Sequence, residues 1–433
     1  MSLRDLERLV ESVPGPRSKR LASQLRAYES RNVTYLSDDF PVFWESASGA
    51  TVTDVDGNRY IDCTAAFGVA NAGHCNPRVT AAALEQVERL VHGMGDVHPS
   101  AVRVRLFERL SQILPKGLDR VFLATTGSEA IEAALKTAML YTGKARFAAY
   151  RGGYHGLSFG ALAVGGIDRF RAPFAAALGS EPILLDFPKA DGKVSAAEAA
   201  SETNRRLAER DDVAALVVEP IQGRAGVILP PPGYLRELRA VCDERHIVMI
   251  VDEIYTGFGR TGAWFAIERE EIVPDILCIG KAMGSGFPIS AAAGRSEVMD
   301  AWPISSGEAL HTSTYLGHPL GCAAAVATID EIERLQLPAR AHRLGDELGS
   351  RLRELSSHDG IVEVRGRGFL WGILFCNATL AATVVKRALR AGAIFLQSGI
   401  AGEVITISPP LVIGEEQLER ALEILKVAIK ETA

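Results

Sequence analysis

The 433-residue sequence is 47% hydrophobic and 23% charged, a composition typical of a folded globular protein and not of a fibrous or largely disordered chain. Its 47 basic and 53 acidic residues give a net charge of −6, which disfavours a protein with a broad basic face for nucleic acid. One hydrophobic core rarely grows beyond about 300 residues, so the length predicts at least two lobes. The chain also contains 41 glycines, where average usage predicts about 30.

The N-terminal segment contains no apolar stretch of the length that a signal peptide requires, and the chain contains no apolar run long enough for a membrane helix. The cysteines are widely separated, without a CxxC pair or the spacing of a metal site. They are Cys63, Cys75, Cys242, Cys278, Cys322 and Cys376. These features predict a cytoplasmic protein with reduced thiols, no membrane partner and no metal.

The first half of the chain predicts a small ribbon followed by an α/β region. Residues 1–30 predict one or two polar helices, and residues 41–63 predict an antiparallel ribbon around the turn signals Ser48-Gly49 and Asp56-Gly57. From about residue 77, helical segments alternate with short apolar runs at 121–124, 213–218, 247–251 and 276–279. Apolar runs without polar alternation suit strands buried on both faces, so this region predicts a mainly parallel sheet between helices.

After residue 320 the pattern changes. Two long helices, one reaching residue 332 and one at 338–355, precede a strand pair near 361–375 and then a helix, a strand and a helix. This order predicts a second, smaller α+β lobe. We therefore expect an N-terminal segment at 1–70 that joins the small domain, a large domain at 71–325 and a C-terminal small domain at 326–433.

The segment Gly127-Ser128 lies between the apolar run 121–124 and a strong helix pattern at 129–141. A strand that ends in Gly-Ser at the start of a helix exposes amide donors where the helix dipole is positive, which favours a bound phosphate. The plainer alternative is a serine N-cap beside a glycine turn.

Two more strand ends carry charged side chains. Asp252 ends the apolar run 247–251, and Lys281 follows the run 276–279 within a glycine-rich segment. Ligands of open α/β sheets bind at the carboxyl ends of the strands, and a desolvated lysine there becomes nucleophilic. A structural salt bridge and a solvated loop lysine are the plainer alternatives. Together, an amine, a carboxylate and a phosphate site are the three parts that pyridoxal 5′-phosphate (PLP) requires.

With these motifs in this order, the sequence resembles the class III aminotransferases of the fold-type I PLP enzymes, over nearly the whole chain from about residue 35. The motifs that carry the resemblance are Thr126-Gly127-Ser128-Glu129-Ala130, Tyr154-His155-Gly156, Glu219-Pro220-Ile221-Gln222-Gly223, Asp252-Glu253-Ile254-Tyr255-Thr256-Gly257-Phe258-Gly259-Arg260-Thr261-Gly262, Gly280-Lys281 and His311-Thr312-Ser313-Thr314-Tyr315. The resemblance implies a large domain with a mainly parallel, seven-stranded type of sheet, a small domain from the two chain ends, and a homodimer with shared active sites. Much of the glycine excess falls within or beside these motifs.

The resemblance also implies a role for individual residues. Lys281 would form the Schiff base with PLP and then move the substrate proton, and Asp252 would pair with the pyridinium nitrogen. The remaining implied contacts are the phosphate contacts of Gly127 and Ser128, the ring contacts of Tyr154 and Ile254, the supporting place of Glu219, a place for Tyr255 near the ring hydroxyl, and the contact of Thr314 with the phosphate of the neighbouring subunit.

Three positions depart from the pattern of the relatives. Leu157 and Thr406 stand where several relatives carry arginines that bind substrate carboxylates, and Arg224 stands where many relatives carry a glutamate. One hypothesis is that Arg224 binds the substrate carboxylate from a different wall; the alternative is a structural ion pair in a tolerant pocket. The departures weaken any transfer of ornithine, acetylornithine or 4-aminobutyrate specificity.

The predicted function is therefore reversible amino transfer between an amine or amino acid and a keto acid, in two half-reactions. A racemase, epimerase or aminomutase that uses the same PLP site is the open alternative, and a non-catalytic PLP-fold protein is disfavoured by the intact Lys281 and Asp252. Two short motifs suggest other enzymes weakly. Gly156-Leu157-Ser158-Phe159-Gly160 matches a serine-hydrolase elbow without a strong strand before it, and Gly366-Arg367-Gly368 lacks the third glycine of a dinucleotide site.

Overall fold

The structure is a computed structural model that describes residues 13–179 and 181–432. Its strands are β1 Trp44–Ser48, β2 Thr51–Asp54, β3 Arg59–Asp62, β4 Arg120–Ala124, β5 Arg146–Tyr150, β6 Ile183–Leu185, β7 Val213–Val218, β8 Val248–Asp252, β9 Ile276–Ile279, β10 Ser290–Gly294, β11 Ile361–Arg367, β12 Leu370–Phe375, β13 Ala393–Ile394, β14 Leu396–Ser398 and β15 Val404–Ile407. Its principal helices are α1 Pro16–Tyr28, α2 Pro77–Arg89, α3 Ala101–Ile113, α4 Gly127–Thr142, α5 Phe159–Ala163, α6 Asp168–Arg171, α7 Ala196–Leu207, α8 Tyr234–Arg245, α9 Ser296–Met299, α10 Pro319–Arg334, α11 Leu337–Glu354, α12 Ala378–Arg390 and α13 Glu415–Lys430.

A seven-stranded sheet forms the centre of the protein, in the order β4-β10-β9-β8-β7-β5-β6. Strands β6, β5, β7, β8 and β9 run parallel, and β10 pairs antiparallel with both β4 and β9. All residues of β7, β8 and β9 are buried, as expected for strands covered by helices on both faces. The predicted fold, a mainly parallel seven-stranded sheet between helices, is confirmed.

Two strands of this sheet show why the sequence pattern was incomplete. Strand β10 has the sequence SAAAG, whose small side chains give no bulky apolar run, although all five residues are buried. The segment of β5, which precedes the Gly156–Gly160 motif, predicts only a weak strand, and it is a strand of the sheet. Neighbouring strands pair with both β5 and β10, and the alanine-rich helix α4 also packs against β10.

The two ends of the chain form two further sheets, and they meet in one of them. The N-terminal ribbon β1-β2-β3 continues into β13, which pairs parallel with β3, and the C-terminal strands form the antiparallel sheet β11-β12-β15-β14. Lys386 of α12 also binds Asp39, with 2.8 Å between Nζ and Oδ1. The ribbon and the C-terminal lobe agree with the predicted order of elements, whereas the boundaries at 70/71 and 325/326 stay predictions.

Two further predictions concern helices: those at the N-terminus and those that could span a membrane. Part of the helical prediction for residues 1–30 falls on residues 1–12, which lie outside the described residues, and α1 accounts for most of the rest. Within the described part of the chain, no helix combines the length and apolarity needed to cross a membrane.

Candidate active site

Three parallel strands end at one edge of the central sheet and bring charged side chains together. Strand β8 pairs with β7 on one side and with β9 on the other, and Asp252 aligns with Cys278 of β9. Glu219 directly follows β7, Asp252 ends β8, and Lys281 follows β9 after one glycine. The register of parallel strands therefore places three predicted site residues at the same carboxyl-end edge, where ligands of α/β sheets bind.

Asp252 is held by a buried histidine. The Nδ1 atom of His155 lies 2.8 Å from Oδ2 of Asp252, and the backbone N–H of Ile254 donates to Oδ1 at 3.0 Å. The side chains of both His155 and Asp252 are almost fully buried. Burial lowers the pKa of His155, but the hydrogen bond and charge of Asp252 outweigh it, so that the histidine pKa is raised. The carboxylate is thereby fixed in orientation beside a proton donor.

Glu219 links two loops of the site. Its Oε1 accepts the backbone N–H of Tyr154 at 2.9 Å, and its Oε2 accepts the backbone N–H of Gly223 at 3.1 Å. The residue is buried, and burial, together with the nearby Asp252 charge and against the His155 charge, raises the pKa of Glu219 to about 7. One carboxyl group thus fixes the backbone on both sides of the site.

Lys281 lies over an aromatic ring in a strained backbone conformation. Its Nζ is 4.7 Å from the centroid of the Tyr255 ring, and its φ of 44° falls in the left-handed region. Burial lowers the pKa of the ammonium group, and the charges of Asp252 and Glu219 oppose this only in part. Tyr255 is fixed in turn, because its hydroxyl lies 3.0 Å from Oγ of Ser408. A lysine with a lowered pKa is more often the neutral, nucleophilic amine.

The start of helix α4 forms a compact cup. Thr126 caps the helix, and the Glu129 carboxylate accepts a hydrogen bond from the backbone N–H of Thr126. The first-turn amides of Gly127 and Ser128 have no partner within the helix and point out of its end. A Cβ on Gly127 would lie 2.9 Å from Cδ1 of Ile254, and a Cβ on Gly156 would lie 1.9 Å from Oγ of Ser128. Glycine is therefore required for the close approach of these segments, and the cup is suited to an anion.

Tyr154 and Arg224 meet around a third side chain, Phe170. The rings of Tyr154 and Phe170 are 5.8 Å apart in an edge-on arrangement, and the guanidinium groups of Arg224 and Arg169 lie 5.9 Å and 4.9 Å from the Phe170 ring centroid. Arg224 donates to the backbone carbonyl of Gly399 at 3.1 Å. Burial, and then the charge of Arg169, lower the pKa of Arg224. Among the described residues, neither arginine makes an ion pair with a carboxylate within 4.0 Å.

Some predicted positions lie apart from this cluster. Thr314 is exposed on the loop before α10, beside Tyr315, whose ring contacts that of His92 at 5.5 Å. Among the described residues, no backbone hydrogen bond joins Thr314 to Lys281 or Gly127. Leu157 is about half exposed, whereas Thr406 is buried in β15, where its hydroxyl lies 2.5 Å from Oγ of Ser398.

The two weak alternative motifs do not form their sites. Ser158 donates to the Glu132 carboxylate and not to a histidine, so the elbow lacks its general base. Gly366 and Gly368 lie in and just after β11, in an antiparallel hairpin with β12, whereas a dinucleotide motif requires a turn from a strand into a helix.

Two residues of the motifs have structural roles that the sequence pattern did not predict. His155 stands inside the Tyr-His-Gly motif, and its position between Gly153 and Gly156 is the signal that could have drawn attention to it. Arg260 is fully buried, where it donates to the carbonyls of Phe369 and Pro409 and to the side chain of Asn71. Burial lowers the pKa of Arg260 to about 10. It ties the loop after β8 to both ends of the chain.

The cluster fits pyridoxal phosphate on chemical grounds. A mostly buried amine without an ion pair in the described chain, a buried carboxylate with a fixed orientation, and a glycine-lined helix start are the donor set that this cofactor requires.

Comparisons with known proteins agree with this fit. The profile of the family described as aminotransferase class-III matches residues 34–429. The chain belongs to the class III aminotransferases. An acetylornithine aminotransferase of Methanopyrus kandleri is 41% identical over 394 residues, which cover 90% of this chain and 95% of that protein.

Two solved aminotransferase structures share the fold over nearly the whole chain. The ornithine aminotransferase of Toxoplasma gondii has a TM-score of 0.86 and 31% identity, and the match covers 96% of this chain and 95% of that one. An amine transaminase of an uncultivated Pseudomonas species, solved in the PLP-bound form, has a TM-score of 0.87 and 29% identity, with 94% and 99% covered. The predicted class III, fold-type I aminotransferase is confirmed, and with it PLP-dependent amino transfer between an amine or amino acid and a keto acid.

Proposed function

We propose that this aminotransferase binds pyridoxal phosphate at the carboxyl ends of β7, β8 and β9 and accepts a keto acid whose carboxylate is bound by Arg224. The observation that carries the proposal is the juxtaposition of Lys281, Asp252 and the start of α4 at one sheet edge. When bound, pyridoxal phosphate supplies an electron sink for the charge that develops on the carbon bearing the amino group. The chain's own residues hold the cofactor, orient the substrate and move the proton.

The residues around the cofactor divide this work. The amides of Gly127 and Ser128 and the positive end of α4 hold the phosphate. Asp252, kept in place by His155, stabilises a protonated ring nitrogen. Tyr154 and Ile254 would contact the cofactor ring, and Tyr255 would stand near its hydroxyl. Glu219 acts indirectly, because it fixes the backbone of Tyr154 and of Gly223, which precedes Arg224.

Lys281 is the proton-transfer group. Its lowered pKa increases the share of the neutral amine relative to a solvated lysine, and its Nζ lies above the Tyr255 ring. With the cofactor bound, the neutral Nζ would accept a proton from the substrate carbon and deliver it to the cofactor, which is the proton shift that amino transfer requires.

Arg224 is the substrate-binding group that this chain offers in place of the missing arginines. It is half-buried beside Tyr154 and makes no ion pair in the described chain, which weakens the alternative of a structural ion pair. Arg169, whose guanidinium also contacts the Phe170 ring, adds a second positive charge. A substrate carboxylate would relieve the repulsion between these two arginines.

The relatives suggest donors to test first. Similar proteins are named for acetylornithine and for ornithine. Leu157 and Thr406 stand where the resemblance expects carboxylate-binding arginines, and Thr406 is buried with a hydrogen-bonded hydroxyl. We therefore propose an amine or amino acid donor without assigning either substrate, and a keto acid acceptor as the partner that Arg224 selects.

The Arg224→Gln variant tests the acceptor site. We expect the KM for a keto acid to rise by roughly 10- to 100-fold, because a charge-assisted pair is lost, whereas the half-reaction with an amine that lacks a carboxylate is unchanged. Arg151→Gln is the matched control, since Arg151 pairs with Asp186 on the surface. An unchanged KM for the keto acid would show that Arg224 has no substrate role.

A half-reaction screen separates amino transfer from the racemase alternative. The PLP form is mixed with a panel of amines and amino acids, and the visible absorption of the bound cofactor and the released keto acid are followed. Loss of absorption with release of a keto acid is expected. Uptake of solvent deuterium without a keto acid would instead favour a racemase or epimerase.

We also propose that two copies of the chain form a homodimer that completes each site. The segment 84–97 exposes large apolar side chains, and His92 joins it to Tyr315 on the loop that carries Thr314. The exposed apolar residues of this segment are Leu84, Val87, Leu90, Val91, Met94 and Val97. An apolar surface of this kind next to a loop with a predicted phosphate contact suits an interface that inserts Thr314 into the partner's site.

Mixed dimers test this arrangement. Lys281→Ala and Thr314→Glu are each expected to inactivate the homodimer, the second because a carboxylate would repel the phosphate. In a mixed dimer both changes fall in one site and the other site is intact, so co-expression should restore activity. If each site is built from one chain, the mixture stays inactive.

A further inference from the structure

A second concave site lies between the large sheet and the C-terminal lobe. It has a volume of about 310 Å³, and none of its lining residues belongs to the proposed cofactor site. Its side chains come from the 3₁₀ turn Ala266–Glu270, from helix α11 and from the end of strand β11. The charged and polar side chains that line it are Arg269, His342, Asp346, Ser350, Arg353 and Arg367.

Three arginines converge on this pocket without acidic partners. Within residues 13–179 and 181–432, no Asp or Glu oxygen lies within 4.0 Å of a side-chain nitrogen of Arg269, Arg353 or Arg367. An arginine often pairs with a carboxylate when one is near, as Arg351 of α11 does with Glu419 of α13. A group of unpaired arginines around a cavity is therefore an unusual arrangement for a purely structural surface.

Two of the arginines are held in place by uncharged neighbours. The guanidinium of Arg353 lies 4.9 Å from the centroid of the Trp371 ring, and Arg269 donates to Nδ1 of His342 at 3.1 Å. The indole N–H of Trp371 donates to the carbonyl of Gly368, which fixes the ring. These contacts orient the guanidinium groups and leave their remaining N–H donors for a ligand.

Arg367 is the deepest of the three. It is half-buried, and burial and then the charge of Arg269 lower its pKa, with Glu270 opposing. Two like charges are thus kept close together in a partly desolvated place. An anion between them would remove the repulsion and would satisfy several N–H donors at once.

We propose that this pocket is a binding site for inorganic phosphate, separate from the cofactor site. The guanidinium groups of Arg269, Arg353 and Arg367 bind the phosphate oxygens. Asp346 lines the same pocket, and its carboxylate accepts a hydrogen bond from the P–OH group. Hydrogen phosphate carries this group at neutral pH, and sulfate lacks it. The bound ion bridges the 3₁₀ turn next to the large sheet and two elements of the C-terminal lobe.

Calorimetric titration of inorganic phosphate into the PLP-saturated enzyme tests the proposal. Cofactor saturation keeps phosphate out of the cup at α4, and chloride holds the ionic strength constant. We expect saturable binding of one phosphate per chain, weakened roughly tenfold or more in Arg367→Gln and in Arg269→Gln. Arg343→Gln removes the same charge from the exposed face of α11 and should bind as the wild type does.

A second measurement covers the case in which Arg367→Gln does not fold. The thermal unfolding midpoint of the PLP-saturated enzyme should rise with phosphate concentration in the wild type and in Arg343→Gln, and much less in the exposed Arg353→Gln. Sulfate should raise it less than phosphate, and Asp346→Asn should remove that preference. Absence of saturable phosphate binding, or equal binding by the arginine variants and the wild type, overturns the proposal.

Discussion

The two sites of this molecule handle charge in opposite ways. At the edge of β7, β8 and β9, the carboxylates are buried and the lysine is mostly buried, and each carboxylate is fixed by backbone or histidine donors. In the arginine pocket, the guanidinium groups are mostly exposed, and two of them contact an aromatic ring and a histidine. Burial therefore makes the charges of the first site responsive to one another, whereas water weakens the interactions between charges in the second.

The physical cause is the local dielectric. Interactions between buried groups are screened weakly, so Asp252 and Glu219 shift the titration of His155 and Lys281. Exposed groups are screened by water and by salt within about 10 Å. Changes at the buried edge should therefore have large effects on catalysis and on pH dependence, and changes to exposed pairs should have small ones.

The largest effect is expected at Lys281. Lys281→Ala removes the amine that is proposed to bind the cofactor and to move the proton, so turnover should fall by at least about 10³-fold. The visible absorption of the bound cofactor should change as well. Lys116→Ala removes an exposed lysine as a control. Activity within tenfold of the wild type in Lys281→Ala would place the chemistry elsewhere.

The next effect concerns the support of Asp252. His155→Leu removes the group that lies 2.8 Å from its carboxylate, and we expect turnover to fall by roughly 10- to 100-fold together with cofactor affinity. His155→Gln retains an N–H donor and should recover part of both. A merely structural histidine would lower stability without this partial recovery and without a change in the pH profile of turnover, which is the measurement that decides.

A buried carboxyl group outside the reacting set should make stability depend on pH. Burial raises the pKa of Glu253 to about 7, while Thr256 and the backbone of Ile267 donate to its oxygens. Because the folded pKa is above the ordinary value of 4.5, the folded state keeps a proton that the unfolded state releases. The stability from this proton is fully present below pH 4.5 and is lost as the pH rises through 7.

Glu253→Gln replaces the protonated group by a neutral one of the same shape. From pH 5 to pH 8, the unfolding free energy of the wild type should therefore fall relative to the variant by on the order of 2–3 kcal/mol. Urea unfolding at several pH values measures this difference. Glu271→Gln changes an exposed glutamate nearby and should give a nearly flat difference. A flat difference for Glu253→Gln as well would mean that Glu253 is ionised in the folded state.

The same contrast explains what the sequence could predict. Asp252 and Lys281 follow fully apolar runs, and a parallel sheet must bring the ends of such runs together, so the carboxyl-end edge followed from the pattern. The pairing of His155 with Asp252 joins positions 97 residues apart, and no local pattern encodes it. Strand β10 was not predicted because its small residues form no bulky apolar run, and neighbouring elements bury them.

The arginine pocket could not be predicted from sequence patterns either, for a related reason. Arg269, Arg353 and Arg367 stand on a turn, a helix and a strand whose order in the chain says nothing about their distance in space. Each alone is an ordinary surface arginine. Arg224 was different, because a departure from the pattern of relatives marked it, although its contact with Phe170 required the structure.

The smallest effect is expected at an exposed ion pair that joins the two ends of the chain. Nζ of Lys386 lies 2.8 Å from Oδ1 of Asp39. The hydrogen bond from Lys386 lowers the pKa of Asp39, and slight burial opposes this only in part. Both side chains remain partly exposed, so Lys386→Gln should lower the unfolding free energy at pH 7 by less than about 1 kcal/mol. The difference should shrink further in high salt, because exposed pairs are screened, whereas the effect at Glu253 should persist. Urea unfolding of both variants at low and high salt checks this. A salt-independent loss of several kcal/mol for Lys386→Gln would contradict the division between buried and exposed charge on which the comparison rests.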